Sequence, residues 1–98
     1  MISYGALRQA KDSGNLMKVL ECKEADVWFA LEEIETFGEN YNLKLKAGEY
    51  IAVSREPKMD VWSDTYFNST KGSYERCNKA FEKYSPETTA WMRKAAGI

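Results

Sequence analysis

The pattern of apolar and polar positions divides the chain into short segments, and the first of them is helical. Ser3 can cap a helix that runs to about Ser13. Ile2 and Leu7 stand at the spacing of a hydrophobic staple, and Gly14 can end the helix in a left-handed conformation. We therefore predict a short N-terminal helix.

Residues 16–22 and 24–37 carry two overlapping hydrophobic patterns. The first segment is short and apolar, which is typical of a buried strand, although its leucines also continue the helical stripe of the second segment. We favour a strand followed by a helix over one long helix. The second segment has helical spacing, with acids in its first turn and Gly38 placed to end it. Its predicted buried face consists of Val27, Ala30, Leu31, Ile34 and Phe37.

The middle of the chain alternates with the period of a strand. Leu43 and Leu45 alternate with lysines, and a second apolar run follows a turn at the Ala47-Gly48 pair. This pattern predicts a β-hairpin over about residues 41–54.

The last third of the chain is predicted to be helical, after an aromatic-rich segment at 59–67 that is a candidate third or fourth strand. The triplet Ser85-Pro86-Glu87 supplies a capping side chain, a proline at the first helical position and an acid in the first turn. The helix before it has an apolar stripe of Tyr74, Cys77, Ala80, Phe81 and Tyr84.

Together these segments predict an α+β fold. We expect a small antiparallel sheet, built from the hairpin at about 41–54 plus one or two further strands, packed with three to four helices. The length of 98 residues suits a single compact domain, and no linker or repeat divides residues 1–98.

The composition argues against catalysis. The chain has no histidine, which removes the usual general base near neutral pH and the commonest metal ligand. Neither Cys22 nor Cys77 therefore has a histidine to activate it. The acids Glu56, Asp60 and Asp64 lie close together in sequence, but solvated acids at such spacing are common. We expect no enzyme activity, no catalytic residues, no metal site and no cofactor.

The sequence also bears on location. Its first residues lack the apolar run of a signal peptide, and no segment approaches the roughly 18 apolar residues of a membrane helix. The two cysteines show no paired motif and are expected to be buried thiols. We expect a cytoplasmic protein that does not enter a membrane.

Aromatic placement gives the candidate binding residues. On the helix predicted for 24–37, Phe29 falls opposite the buried face, among Glu32 and Glu33. Trp28 falls at the edge of that face, beside Glu32 and Glu35. Large apolar side chains in an acidic setting are costly to leave in water. Phe29 is therefore either covered by another element of this chain or used at an interface, where such residues are enriched. A second aromatic pair on an irregular stretch extends the predicted partner-binding set, which is Trp28, Phe29, Glu32, Glu33, Trp62 and Tyr66.

We therefore predict a small intracellular protein-binding module, an inhibitor or an adaptor, that acts by surface recognition. Its partner would be another protein with a basic surface, or a second copy of the chain as a homodimer. Small proteins without motifs are frequent among phage and mobile-element accessory products that block a host complex, and this chain fits that description. The alternative is a nucleic-acid or nucleotide binder, which the net charge of -1 makes less favoured. Its predicted anion-binding residues are Lys71, Arg76, Lys79 and Lys83.

Overall fold

The fold is built around a five-stranded antiparallel sheet with a short helix against each face. The computed structural model describes residues 1–21, 23–59 and 65–82 (for 80–82 the backbone alone), together with 86–87, 90 and 93–94. In chain order the elements are β1 (Ile2–Ser3), α1 (Tyr4–Asp12), β2 (Leu16–Glu21), β3 (Ala25–Ala30), β4 (Ile34–Glu35), β5 (Lys44–Leu45), β6 (Tyr50–Met59), β7 (Thr65–Gly72) and α2 (Tyr74–Glu82).

The strand order in the sheet is β1-β7-β6-β3-β2, and every neighbouring pair is antiparallel. The long strand β6 lies at its centre, so it pairs with β3 on one side and β7 on the other. Its register with β7 shifts between Val53 and Pro57, where the ladder is interrupted. The short strands β4 and β5 form a separate two-stranded sheet.

The first hydrophobic core lies between the sheet and α1. Successive residues of a strand point to opposite faces, so Ile51 and Val53 of β6 face α1. The helix contributes its small and apolar side chains to this layer, and the β4–β5 pair closes one side of it. The buried residues of this core are Ile2, Ala6, Leu7, Ala10, Leu16, Trp28, Ala30, Ile34, Leu43, Leu45, Ile51 and Val53.

The second core lies on the other face of the sheet, beneath α2. Val27 of β3 and Ala52 of β6 point to this face, where Cys77 of α2 packs against them. The rings of Tyr50 and Tyr74 border the layer with their centroids 6.3 Å apart. Strand β3 and the first half of β6 are therefore buried on both faces.

The predicted α+β fold with three to four helices is wrong. The structure is mostly sheet, and the ranges that it describes contain two short helices, α1 and α2, with further helical backbone at the separate positions 86–87, 90 and 93–94. The largest correction concerns 24–37, where the predicted helix is replaced by strands β3 and β4. Strand β3 carries β-branched and aromatic residues that fit a sheet with core on both sides.

The predicted hairpin at about 41–54 is also wrong in its pairing. The turn at Ala47-Gly48 exists, with Gly48 at a φ of 85°. However, β5 pairs with β4, and β6 pairs with β3 and β7. Period-two alternation identifies which face of a strand is buried, and it does not identify the neighbouring strand.

Other predicted elements are confirmed. The N-terminal helix begins as expected, because the Oγ atom of Ser3 accepts a hydrogen bond from the backbone N–H of Ala6 at 3.1 Å. Gly14 follows that helix at a φ of 76°. The strand interpretation of 16–22 is correct for Leu16–Glu21, and α2 places Cys77 in the core. The predicted cap Ser85 lies outside the described residues.

Within the described part of the chain, the helices are too short and too polar for any of them to cross a bilayer.

Candidate functional site

A cleft of about 510 Å³ opens where the first turn of α1 faces the segment between β4 and β5. Its walls come from three parts of the chain that are distant in sequence: the N-terminus, the segment 37–42 and the start of β7. The lining residues are Ser3, Tyr4, Gly5, Ala6, Gln9, Phe37, Gly38, Glu39, Asn40, Tyr41, Asn42 and Thr65.

Gln9 fixes one end of the segment that forms the far wall. Its Nε2 donates to the carbonyl oxygen of Phe37 at 2.9 Å, and its Oε1 accepts from the N–H of Phe37 at 3.0 Å. The side-chain amide thus pairs with the backbone of Phe37 as a neighbouring strand would. This contact ties the segment to α1.

The other end of the segment is fixed by one backbone–backbone hydrogen bond and by two that involve side chains. The N–H of Ser3 donates to the carbonyl oxygen of Tyr41 at 3.0 Å, and the side-chain amide of Asn42 donates to the carbonyl oxygen of Gly38. The buried Thr36 accepts from the N–H of Leu43 through its Oγ1 at 2.9 Å. The segment is therefore bonded at both ends and across its middle.

Three aromatic side chains of the cleft are exposed. Phe37 is 81% exposed, Tyr4 is 55% exposed and Tyr41 is 39% exposed. The ring of Tyr41 also stacks against Tyr66 of β7, with centroids 5.0 Å apart. Tyr41 has a φ of 51°, an uncommon conformation for a residue with a side chain. The cleft therefore offers flat apolar surface on a backbone that is already ordered.

The cleft carries little charge. Among the described residues that line it, Glu39 is the one ionisable acid, and the other polar groups are amides and hydroxyls. Charge therefore contributes less to this surface than ring area and hydrogen bonding.

The structure separates Trp28 from Phe29. Successive strand residues point to opposite faces, so Trp28 is buried in the α1 core while Phe29 faces the α2 side. The ammonium groups of Lys11 and Lys18 lie 5.1 and 5.0 Å from the Trp28 ring centre, an arrangement that favours cation–π attraction. Phe29 is half-buried, with its ring 5.0 Å from that of Tyr50. Trp28 and Phe29 cannot share one binding surface.

The remaining members of the predicted partner-binding set are also dispersed. Glu32 and Glu33 are exposed in the turn that follows β3. Tyr66 borders the cleft through its contact with Tyr41, and Trp62 lies outside the described residues. Of the described members of the predicted set, Tyr66 is the one that the structure brings next to the cleft.

The predicted anion-binding residues fall on two sides of the sheet. Lys71 pairs with Ile51 across the ladder, so it faces the α1 side, where its Nζ donates to the carbonyl oxygen of Lys44 at 3.0 Å. Arg76 and Lys79 are exposed on α2, on the opposite side. Lys83 lies outside the described residues. The described lysines and arginine of this set do not form one patch.

A polar cluster outside the cleft joins three strands on the α1 face of the sheet. An Nη2 atom of Arg55 lies 2.8 Å from a carboxylate oxygen of Glu21 and 2.9 Å from one of Asp26. Lys18 lies 3.7 and 3.9 Å from the same two side chains. Two cations therefore balance two carboxylates, and the cluster links β2, β3 and β6 as a neutral network.

The candidate groups for catalysis or metal binding are the Cys77 thiol and the carboxylates of the chain. Burial raises the pKa of the Cys77 thiol from 9.0 to about 11, which disfavours the reactive thiolate. Glu56 is exposed, while Asp60 and Asp64 lie outside the described residues. Across the described positions no three acids, cysteines or histidines come together as a metal site.

Sequence reasoning missed Tyr4, Phe37 and Tyr41. The helical pattern predicts Phe37 on a buried stripe, whereas no helix forms at 24–37 and Phe37 is exposed. A usable signal was the run Gly38-Glu39-Asn40-Tyr41-Asn42, because aromatic residues in a Gly- and Asn-rich loop often serve recognition.

No known protein family, curated protein or solved structure matches this chain.

Proposed function

We propose that this protein is a small binding module, an inhibitor or an adaptor, that recognises another protein at the cleft between α1 and the segment 37–42. The observation that carries the proposal is the convergence of three exposed aromatic side chains, Tyr4, Phe37 and Tyr41, on one cleft. Exposed aromatic clusters of this kind are typical of interaction sites.

The order of the cleft supports the proposal on energetic grounds. Binding is weakened when a loop must be ordered at the moment of contact, at about 0.5–1.5 kcal/mol for each immobilised side chain. Here the hydrogen bonds of Gln9, Ser3 and Asn42 hold the wall in place before a partner arrives. An aromatic anchor on such a wall can supply about 2 kcal/mol or more of binding energy.

The lining chemistry favours recognition over catalysis. Apart from the carboxylate of Glu39, the described lining consists of aromatic, small, amide and hydroxyl side chains. Such groups provide contact area and hydrogen bonds. We place this activity in the cytoplasm as part of the proposal, because Cys77 is a free thiol and reduced cysteines are usual there.

Copurification with matched variants tests the proposal. We expect the double variant Phe37→Ala, Tyr4→Ala to fold and to lose its protein partner in an affinity pull-down from the native host. The control is Leu31→Ala, Met59→Ala, which removes two exposed apolar side chains that do not line the cleft. If the cleft variant keeps every partner that the control keeps, the proposed function is wrong.

A further inference from the structure

We propose that the cleft binds a proline-rich segment of its partner in the polyproline II conformation. This inference rests on the proposed function and names the ligand class of that same site. It follows from the exposed aromatic residues that line the cleft and from the hydrogen-bonding groups that the fold leaves available.

The apolar surface of the cleft suits proline rings. Tyr4, Phe37 and Tyr41 are exposed residues that line a single open cleft, and Phe37, the most exposed of them, has a side chain with no polar group. Grooves lined by aromatic side chains are the usual receptors for polyproline II segments, whose proline rings pack flat against them. The ring surface alone, however, would also accept the apolar face of a sugar.

The polar groups of the cleft separate these two ligands. The side-chain amide of Gln9 is occupied by the backbone of Phe37, and the amide of Asn42 is occupied by Gly38 and Thr36. A sugar presents many hydroxyl groups, and each one buried without a partner weakens binding. With both amides engaged, Glu39 and Asn40 are left as the strongly polar side chains of the lining. The lining therefore favours a ligand that needs few polar contacts.

The wall also has few acceptors to offer, since three of its backbone carbonyl oxygens are already engaged. The carbonyl oxygens of Phe37, Gly38 and Tyr41 accept hydrogen bonds from Gln9, Asn42 and Ser3 respectively. The phenol groups of Tyr4 and Tyr41 can still donate. A proline-rich segment lacks N–H groups at its prolines and has carbonyl oxygens with no internal hydrogen bonds. Such a ligand needs donors and few acceptors, which matches the cleft.

A titration with decaproline tests the inference. We expect decaproline to shift the amide NMR signals of 37–42 and of the first turn of α1. Phe37→Ala should weaken this binding by about tenfold. Leu31→Ala, which truncates an exposed apolar side chain outside the cleft, should leave it unchanged. A Gly-Ser decamer, which has the same length and no preference for polyproline II, should bind far more weakly.

Three results would overturn the inference: no shifts at the cleft with decaproline, equal binding of the Gly-Ser decamer, or shifts at the cleft with maltotriose instead. After any of these results, the pull-down shows whether only the ligand class is wrong or the binding function as well. If Phe37→Ala, Tyr4→Ala still loses the protein partner, the ligand class is wrong and the binding function stands. If that variant keeps the partner, the binding function is wrong as well.

Discussion

Gln9 uses both ends of its side-chain amide on the backbone of one residue, Phe37. We predict that Gln9→Ala frees the segment 37–42 and lowers the free energy of unfolding by about 1 kcal/mol, because these hydrogen bonds are exposed to solvent. Hydrogen exchange of the Phe37 amide should accelerate in this variant, which NMR can measure directly.

Gln9→Glu is the matched control for this prediction. A carboxylate keeps the acceptor for the N–H of Phe37 and loses the donor to its carbonyl oxygen. We expect exchange at Phe37 to fall between that of the native chain and that of Gln9→Ala. Equal exchange rates in all three proteins would show that Gln9 does not hold the segment.

Cys77 makes stability depend on alkaline pH. Burial raises the pKa of this thiol from 9.0 to about 11, so the folded state keeps the proton after the unfolded state has begun to lose it. The resulting stabilisation is present below pH 9.0 and is lost as the pH rises through about 11. At most about 3 kcal/mol is involved, since one pKa unit corresponds to 1.36 kcal/mol.

Urea denaturation at several alkaline pH values measures this dependence. Tyrosines and lysines also titrate there, so the comparison is with Cys77→Ala, which retains those groups. We expect the free energy of unfolding to fall more steeply with pH in the native chain than in the variant. Parallel curves would contradict the assigned role of Cys77.

Because Trp28 and Phe29 point to opposite faces of the sheet, their truncation to alanine should lower the free energy of unfolding by different amounts. Trp28 is 8% exposed and lies in the α1 core, so we predict that Trp28→Ala costs about 3–5 kcal/mol. Phe29 is half-buried, and Phe29→Ala should cost less. Urea denaturation of the two variants checks this order, and a larger loss for Phe29→Ala would contradict the orientation of β3.

At the scale of elements, the misassigned segment shows what a pattern can and cannot determine. Strand β3 has core on both faces, so its residues Ala25, Val27, Trp28 and Ala30 are all buried. A strand buried on both sides loses the alternation that identifies strands. The remaining apolar spacing then matched a helix by chance, and the β-branched and aromatic content of the segment was the better guide.

Elements that are amphipathic, or marked at their ends, could be predicted. Helix α1 has the Ser3 cap and Gly14 at its two ends, and α2 presents Cys77 on a clear apolar stripe. The pairing of β5 with β4, in contrast, depends on contacts between segments that carry no local signal.

Alanine substitution of Gly48 tests the turn that directs the chain from β5 into β6, and Gly5 is the matched control. Gly48 has a φ of 85°, in the left-handed region, so Gly48→Ala should cost about 1 kcal/mol or more although no atom would clash with the added methyl group. Gly5→Ala, inside α1 and also free of clashes, should stabilise by about 0.5 kcal/mol. Thermal denaturation checks both signs. A Gly48→Ala variant that melts at the same temperature as the native chain would contradict this turn geometry.

At the scale of the whole molecule, the cleft exists because the fold joins distant segments. Tyr4 starts α1, Phe37 and Tyr41 lie in the segment 37–42 before β5, and Tyr66 comes from β7 at the same end of the sheet. No window of sequence contains these residues together, which explains why sequence patterns predict a surface on 28–33 with Trp62 and Tyr66 instead. Among the described residues of the predicted partner-binding set, Tyr66 is the one that the fold brings to this end.

The central claim is that a protein partner docks against Phe37. Photo-crosslinking tests it most directly, with a benzophenone amino acid placed at position 37 in one protein and at position 31 in another. Phe37 and Leu31 are both exposed, and of these two residues only Phe37 lines the cleft. We predict a discrete crosslinked protein product in cells of the native host with the probe at 37 and none with the probe at 31. Equal crosslinking from the two positions, or none from 37, would contradict the account.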